Sequence, residues 1–141
     1  MKKLYFDVCT ICRPFDNQNL MRIRLETDAY FLILDKIQKN IYELIASPVH
    51  YKEIGDISDT EEKYQLLNIL KKLSKERKYN HKEARERTEE LISLKFGIAD
   101  AAHIAFAEQA ADVFISCDDK LLKKCGKSNP ENCIAKPYRF L

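Results

Sequence analysis

The sequence has few glycines and prolines and no long hydrophobic run. Three Gly and four Pro among 141 residues exclude a collagen-like chain and a flexible, linker-like chain. No stretch approaches the roughly 18 consecutive apolar residues that a membrane span needs. The segment 1–7 begins like a signal peptide, but Asp7 interrupts it after three apolar residues, so no hydrophobic region of a leader forms. We therefore expect a soluble, cytoplasmic protein.

The chain also lacks a large excess of charge of either sign. Lys plus Arg total 24 and Asp plus Glu total 22, which gives a formal net charge of +2. This balance excludes a strongly basic nucleic-acid-binding chain and an acidic tail, although a local basic patch could still bind nucleic acid. Apolar residues make up 45% of the chain, which is enough for one packed core. We expect a single domain over residues 1–141.

The cysteines do not indicate a disulfide framework, because their number is odd and cytosolic thiols stay reduced. Cys9 and Cys12 have the spacing of a redox motif or a zinc knuckle, but no second close pair completes a zinc site. We interpret the cysteines mainly as small buried apolar side chains. A thiol redox protein that uses Cys9 and Cys12 is a minor alternative. The five cysteines are Cys9, Cys12, Cys117, Cys125 and Cys133.

Two kinds of apolar spacing alternate along the chain and predict strands and helices. Short apolar segments predict strands at 3–9, 42–46, 112–117 and 132–135, the last at a sheet edge. Helical spacing predicts helices at about 21–39, 48–53, 59–73, 81–96, 99–111 and 119–125. The charged segment 74–80 fits a helix end, a loop or an edge strand, and the sequence does not decide between them.

Several residues mark the ends of these predicted elements. Ser47 followed by Pro48 predicts a helix start, and Ser58 or Asp59 predicts the cap of the next helix. Gly97 is predicted to stop the helix at 81–96. Strands that alternate with helices imply parallel pairing and right-handed crossovers. The predicted fold class is therefore α/β, a three-layer α/β/α sandwich with a central, mostly parallel sheet.

Four acidic residues are predicted to lie near one edge of this sheet. Asp7 ends the first strand, Asp118 follows the strand at 112–117, Glu53 lies on the helix after the second strand, and Asp100 opens an alanine-rich helix. Ligands of open parallel sheets bind outside the carboxyl ends of the strands. Clustered carboxylates repel one another, and a hard divalent cation such as Mg²⁺ removes that conflict. The pattern predicts metal-assisted phosphodiester hydrolysis.

Each acid also has a simpler interpretation. Asp118 and Asp100 fit the role of a helix N-cap equally well, and Glu53 alone fits a surface position. Asp7 is the hardest to explain otherwise, because it interrupts an apolar strand and acids are rarely buried without a partner.

The histidines are expected to have lesser roles. His103 lies one turn beyond Asp100, which is a metal-ligand spacing, yet a di-iron bundle would need two Glu-x-x-His pairs and no strands. We expect His103 to be packed or to lie behind the acids. His50 and His81 are expected at the surface.

Four segments, in order along nearly the whole chain, carry a resemblance to a known family. They are Leu4-Tyr-Phe-Asp-Val-Cys9, Ser47-Pro-Val-His-Tyr-Lys-Glu53, the alanine-rich Gly97-Ile-Ala-Asp-Ala-Ala-His-Ile-Ala105, and Val113-Phe-Ile-Ser-Cys-Asp-Asp-Lys-Leu-Leu122. In these segments the chain resembles PIN-domain proteins, the fold of VapC-type toxin ribonucleases. Each motif is weak alone, but the ordered set is fairly specific.

The resemblance implies an Mg²⁺- or Mn²⁺-dependent endoribonuclease that cuts RNA. It implies an acidic site of the four residues above, with Asp119 as a substitute or outer metal ligand. It also implies a homodimer and, for a toxin, an antitoxin partner that blocks the site. Cys9 stands where family members often have Ser or Thr, which implies a weaker hydroxyl contact near the metal.

The substrate contacts are less specific. Arg13 in the loop after Asp7, and Lys120, Lys123 and Lys124 after the last acid, could lie near an RNA backbone, but solvated surface charge explains each of them equally well. The alternative function is a PIN-like binding or scaffold module with little or no nuclease activity. It would be favoured if Glu53 pointed away from the other acids.

Two arginines open the helix at 21–39, where positive charge is unfavourable. Arg22 and Arg24 therefore hint weakly at an anionic partner. The spacing of Arg22 and Glu26 predicts a mild surface ion pair.

Overall fold

The computed structural model describes residues 1–75, 77–128, 133–135 and 137. Its strands are β1 (Lys2–Phe6), β2 (Tyr42–Ile45), β3 (Ser74–Lys75), β4 (Val113–Ile115) and β5 (Cys133–Ala135). Its helices are α1 (Val8–Ile11), α2 (Met21–Gln38), α3 (Pro48–Gly55), α4 (Thr60–Leu73), α5 (His81–Ser93), α6 (Ile98–Ala110) and α7 (Asp119–Ser128), and a 3₁₀ turn spans Arg13–Phe15.

The strands form one sheet in the order β3-β2-β1-β4-β5, and every pairing is parallel. Leu4 of the central strand pairs with Leu44 of β2 on one side and with Val113 of β4 on the other. The carboxyl ends of all the strands therefore meet at one edge of the sheet. The predicted α/β fold with a central parallel sheet is confirmed.

Helices cover both faces of the sheet, because side chains alternate along each strand. Leu4 and Phe6 of β1 point into a core layer shared with α2, α3 and α4, which contains Ile33, Ile54 and Leu70. Tyr5 points into the opposite layer, shared with α5, α6 and α7, which contains Leu91, Ile104 and Leu121. Burial of each large apolar side chain stabilises the fold by about 1.5–3 kcal/mol.

The first strand is shorter than the sequence predicts. It ends at Phe6 instead of residue 9, because Asp7 caps α1 by accepting a hydrogen bond from the backbone N–H of Thr10. Cys9 therefore lies on a helix. Asp7 therefore ends β1 and begins α1 at the edge of the sheet.

The prediction that Gly97 stops α5 is wrong. The helix ends at Ser93, and Lys95 takes the left-handed conformation that follows it, with φ of 73°. Gly97 has φ of −64° and caps the start of α6. The predicted helix was too long because Phe96, which continues the apolar spacing, is a buried loop residue beyond the end of the helix.

The remaining predicted boundaries agree closely with the structure. Ser47 and Asp59 cap α3 and α4 through their side chains. The undecided segment 74–80 begins as the short edge strand β3 and then continues without regular structure from residue 77 to Asn80, which caps α5. β5 confirms the last strand, although residue 132 lies outside the described residues. Within the described ranges, no helix is both long and apolar enough to cross a membrane.

Candidate active site

Asp7 is the buried centre of the acidic edge, with only 4% of its surface exposed. Its Oδ1 accepts hydrogen bonds from the backbone N–H of Thr10 at 3.0 Å and from Thr10 Oγ1 at 2.6 Å. Its Oδ2 accepts a hydrogen bond from Ser116 Oγ at 2.6 Å. Burial raises the pKa of Asp7, and the hydrogen bonds from Ser116 and Thr10 offset part of that rise.

Asp118 lies three residues beyond β4 and is tied to Asp7 through one hydroxyl group. Its backbone N–H donates to Ser116 Oγ at 3.0 Å, and the same hydroxyl donates to Asp7. Asp118 Oδ1 also accepts hydrogen bonds from the backbone N–H groups of Lys120 and Leu121. The expected N-cap role is confirmed, and it leaves the residue at the same edge as Asp7.

The hydroxyl contacts at this edge do not come from the position of Cys9. They come from Thr10, one residue later, and from Ser116 on the neighbouring strand. Asp7 therefore has hydroxyl contacts that do not depend on residue 9, whereas the expected weaker contact near a metal stays a prediction. A short α1 that begins directly after Asp7 places Thr10 beneath the carboxylate.

Asp100 is half-buried in the first turn of α6 and does not cap that helix, since Gly97 occupies the cap position. Burial raises the pKa of Asp100, and the negative charges of Asp118, Asp7 and Glu53 raise it further. Asp7, Glu53 and Asp118 thus each lie within electrostatic reach of Asp100.

Glu53 lies at one end of a chain of short hydrogen bonds that ends at Ser47. His103 Nε2 lies 2.6 Å from Glu53 Oε1, and His103 Nδ1 lies 2.6 Å from the Tyr5 hydroxyl. That hydroxyl lies 2.6 Å from Ser47 Oγ. His103 is 2% exposed, so the expectation of a packed histidine behind the acids agrees with its position.

His50 is buried and not at the surface, with 1% of its area exposed. Its Nδ1 accepts a hydrogen bond from the backbone N–H of Ser47 at 3.0 Å, and its Nε2 donates to the carbonyl of Phe6 at 2.5 Å. Burial, followed by the charge of His103, lowers the pKa of His50 to about 3. One sequence signal could have indicated this position, because His50 follows the cap residue Ser47 by three, as in a capping box.

The basic residues predicted near the substrate differ in their surroundings. Arg13 is paired with Asp16 at 2.8 Å and with Glu26 at 3.2 Å. Lys124 Nζ donates to the carbonyl of Lys95 at 2.7 Å. The side chains of Lys120 and Lys123 are exposed.

Arg22 holds the loop that carries Asp118. It donates to Asp119 Oδ2 at 2.6 Å and to the carbonyl of Cys117 at 3.0 Å. It also lies 3.5 Å from Glu26, which is fully buried. The predicted pair of Arg22 and Glu26 therefore forms, but it is not a surface pair, because Glu26 lies in the core. The anionic groups that Arg22 meets belong to the protein itself.

A cavity of about 420 Å³ opens beside Asp118, between the start of α2 and the start of α7. Cys9 and Cys117 line part of it. Burial raises the pKa of Cys9 and Cys12 to about 12, whereas a redox thiol needs a lowered pKa. This difference argues against the thiol redox alternative.

The acidic edge offers the oxygen ligands that a hard divalent cation prefers. In the part of the chain that the structure describes, neither Lys nor Arg forms an ion pair with Asp7, Glu53, Asp100 or Asp118. Across the same residues, no three His, Cys, Asp or Glu side chains are placed to hold one metal ion together. Mg²⁺ commonly uses one or two carboxylates together with waters and substrate phosphates, and this donor set fits that pattern.

The comparisons with known proteins add a structural likeness. A scan against models of protein families finds no match, and a search of curated proteins finds none. The structure resembles the crystal structure of FitAcB from Neisseria gonorrhoeae, with a TM-score of 0.52 and 14% sequence identity. The match covers 96% of this chain and 98% of that chain. At this identity the likeness establishes the shared α/β/α fold.

Proposed function

We propose that the protein is a PIN-like, metal-dependent endoribonuclease. The observation that carries this proposal is the convergence of Asp7, Glu53, Asp100 and Asp118 from four separate elements onto the carboxyl edge of a parallel sheet. Their charges act on one another, as the raised pKa of Asp100 indicates. The charge repulsion between them disfavours folding, so a functional ligand is the simplest reason to keep them together.

In this proposal Asp7, Asp100 and Asp118 supply the oxygen ligands of Mg²⁺ or Mn²⁺. One or two of them would bind the ion at a time, together with waters and substrate phosphate, and Glu53 completes the acidic site. The bound ion would supply a water of lowered pKa and would neutralise charge on the phosphate. Thr10 and Ser116 fix both oxygens of Asp7. His103 fixes the carboxylate of Glu53 at the rim of the site.

The basic residues are proposed to have unequal roles toward RNA. Lys120 and Lys123 are exposed on α7, next to Asp118, and are the favoured phosphate contacts. Arg13 would first have to leave Glu26, and Asp119 would have to leave Arg22 before it could bind a metal ion. Lys124 is held by the carbonyl of Lys95 and is the weakest candidate.

The biological partners belong to the same proposal. The family resemblance supports a toxin paired with an antitoxin that covers the acidic edge, and it supports a homodimer. Co-expression with the product of the neighbouring reading frame tests the first partner, because an antitoxin would co-purify with the chain and suppress RNA cleavage. Light scattering of the purified chain tests the dimer.

The central test is cleavage of fluorophore-labelled RNA with Mn²⁺ or Mg²⁺, compared with the same reaction in excess EDTA. The wild-type chain should cut only with metal. Asp7→Asn should lower the rate by roughly 100-fold or more, because a metal ligand matters at least as much as the groups behind it. Lys39→Gln, on the far end of α2, is a control that should cut normally. Metal-independent cutting, or full activity of Asp7→Asn, would refute the proposal.

A second candidate is a PIN-like binding module without nuclease activity. It is favoured by one observation, namely that no three acidic, histidine or cysteine side chains in the described ranges are arranged around a common metal position. A chain that binds RNA but leaves it intact under every metal condition would establish this alternative.

A further inference from the structure

A second cavity lies beside the acidic site, at the carboxyl ends of β2 and β3. Its volume is about 500 Å³. The residues that give it its chemical character are Ser47, Tyr51, Lys75, Arg77, Tyr79 and His81. None of its lining residues in the described part of the chain is acidic, so the cavity differs sharply from the acidic edge next to it.

Among the described residues, the wall of this cavity carries two cationic side chains, Lys75 and Arg77. Glu43 forms ion pairs with both Arg77 and Lys75, the second at 4.0 Å, so one carboxylate faces two cations. Arg77 Nε is buried and has no hydrogen-bond partner among the described residues. An unsatisfied buried donor destabilises the folded structure. The wall therefore favours a ligand that brings negative charge and hydrogen-bond acceptors.

Two tyrosine rings line the same cavity, one held in place by its neighbours and one exposed. Tyr79 is fixed, because its hydroxyl donates to the carbonyl of Ala46 at 2.6 Å and its ring packs edge-on against Phe106, with 4.9 Å between ring centroids. Tyr51 lies on α3 with 45% of its surface exposed. Its ring is therefore accessible for stacking.

A chain of hydrogen bonds connects the cavity to Glu53 of the acidic edge. Ser47 lines the cavity, and three successive hydrogen bonds of 2.6 Å connect it through Tyr5 and His103 to Glu53. β2 is also the direct neighbour of β1, which ends at Asp7. Adjacent strands are ~5 Å apart, so a ligand in the cavity would lie one or two strand spacings from the proposed cleavage site.

Resting on the proposed nuclease function, we infer that this cavity binds the single-stranded RNA segment next to the cleaved phosphate. One base stacks on Tyr51, and the adjoining phosphate faces Lys75 and Arg77. Proteins hold single strands with this combination of aromatic faces and basic groups. An acidic peptide would use the cations but would gain little from an accessible ring, which favours RNA as the occupant.

The inference is tested by fluorescence anisotropy in EDTA, with the whole chain and a fluorescein-labelled oligouridine of about 12 nucleotides. Tyr51→Ala should weaken binding roughly five-fold or more, because stacking of one base is lost. Tyr51→Phe keeps the ring and should bind like the wild type. Lys75→Gln should weaken binding and lower the salt dependence by about one phosphate contact.

Lys39→Gln is the matched control for Lys75→Gln. Both lysine side chains are 64% exposed, and each is paired with a carboxylate, but Lys39 lies at the end of α2, away from the cavity. The control should bind RNA like the wild type. Equal losses in the two variants would mean that only overall charge matters, and this would overturn the inference.

The outcomes separate this inference from the nuclease proposal. If the wild type cuts RNA with Mn²⁺ but Tyr51→Ala binds as tightly as the wild type, the cavity assignment alone fails. If no cleavage occurs but Tyr51→Ala binds weakly, the nuclease proposal alone fails. If the variants lose affinity for a labelled oligoglutamate peptide but not for RNA, the cavity binds acidic protein segments and the RNA assignment is wrong.

Discussion

His103 holds Glu53 from behind, with 2.6 Å between His103 Nε2 and Glu53 Oε1. The two residues are 50 positions apart in the chain and come from different helices, α6 and α3. The other ring nitrogen of His103 is engaged by Tyr5, so both ends of the imidazole are fixed. This contact sets the direction in which the Glu53 carboxylate points.

Two substitutions of His103 should have different effects on activity. His103→Gln places an amide N–H near the Nε2 position and keeps a donor for Glu53, whereas His103→Asn reaches only toward Tyr5. We expect His103→Asn to lower cleavage roughly 10–100-fold and to require more Mn²⁺ for half-maximal rate. His103→Gln should retain most of the activity. Thermal unfolding of both variants is the control, and equal activities of the two would contradict a positioning role.

Asp7→Asn should be at least as stable as the wild type in the absence of metal. The pKa of Asp7 is raised, so its charged form disfavours folding at every pH above the folded-state pKa, and the penalty disappears below the unfolded-state value. An asparagine can keep its oxygen toward Thr10 without that charge, and its amide N–H would donate to Ser116 Oγ instead of accepting from it. Differential scanning calorimetry at neutral pH should give an equal or higher Tm, and a clear drop would argue against the burial penalty.

The same two proteins should respond differently to metal. A ligand that binds only the folded state stabilises it by about 2.7 kcal/mol at 100 times its Kd. Mn²⁺ should therefore raise the Tm of the wild type and leave that of Asp7→Asn nearly unchanged. Ca²⁺-free buffer with Na⁺ at matched ionic strength is the control. Equal shifts in both proteins would place the ion elsewhere on the molecule.

Acid should destabilise the fold through His50. Its folded-state pKa of about 3 lies below the ordinary value of 6.5, so between these values the unfolded chain binds the extra proton. Stability from this group is complete above pH 6.5 and falls by about 1.4 kcal/mol per pH unit as the pH drops toward 3. The rings of Tyr5 and His103 face it at 4.4 and 5.0 Å.

The measurement is urea unfolding at pH 7 and pH 5 for the wild type and His50→Gln. Glutamine is a common partner in a capping box and can still accept the bond from Ser47. It carries no titratable group, so the loss of stability at pH 5 should be smaller in the variant. Parallel losses in the two proteins would show that other groups control the acid sensitivity.

Arg22→Lys should show whether cleavage depends on the hydrogen bonds of Arg22 to the Asp118 loop or only on its positive charge. Lysine keeps a positive charge near Glu26 but cannot bond to Asp119 and the Cys117 carbonyl at once. Because the pair with Asp119 is half-exposed, the stability change should be within about 1 kcal/mol. Cleavage should fall roughly ten-fold. Arg24→Lys, two residues further along α2, is the control. Unchanged cleavage in Arg22→Lys would show that the loop keeps its position without the two hydrogen bonds of the Arg22 guanidinium.

The parts of the fold that follow from local pattern were predictable. Apolar strands such as β4 and the capped starts of α3 and α4 depend on residues that are close together in the sequence. The α/β layering and the shared edge of Asp7 and Asp118 could therefore be predicted. His50 could not be placed in the same way, because its burial depends on the carbonyl of Phe6, which is distant in the chain. The burial of Glu26 and the ion pair between Arg22 and Asp119 likewise depend on tertiary contacts.

The central position of β1 has a consequence for how the protein is made. Leu4 pairs with Leu44 and also with Val113, so the middle of the sheet joins the beginning of the chain to a segment synthesised much later. Such distant pairings make folding slow, since a large loop must close before they form. A nascent chain on the ribosome would keep its first strand half-exposed until β4 emerges, and that interval is when a chaperone would have the most to bind.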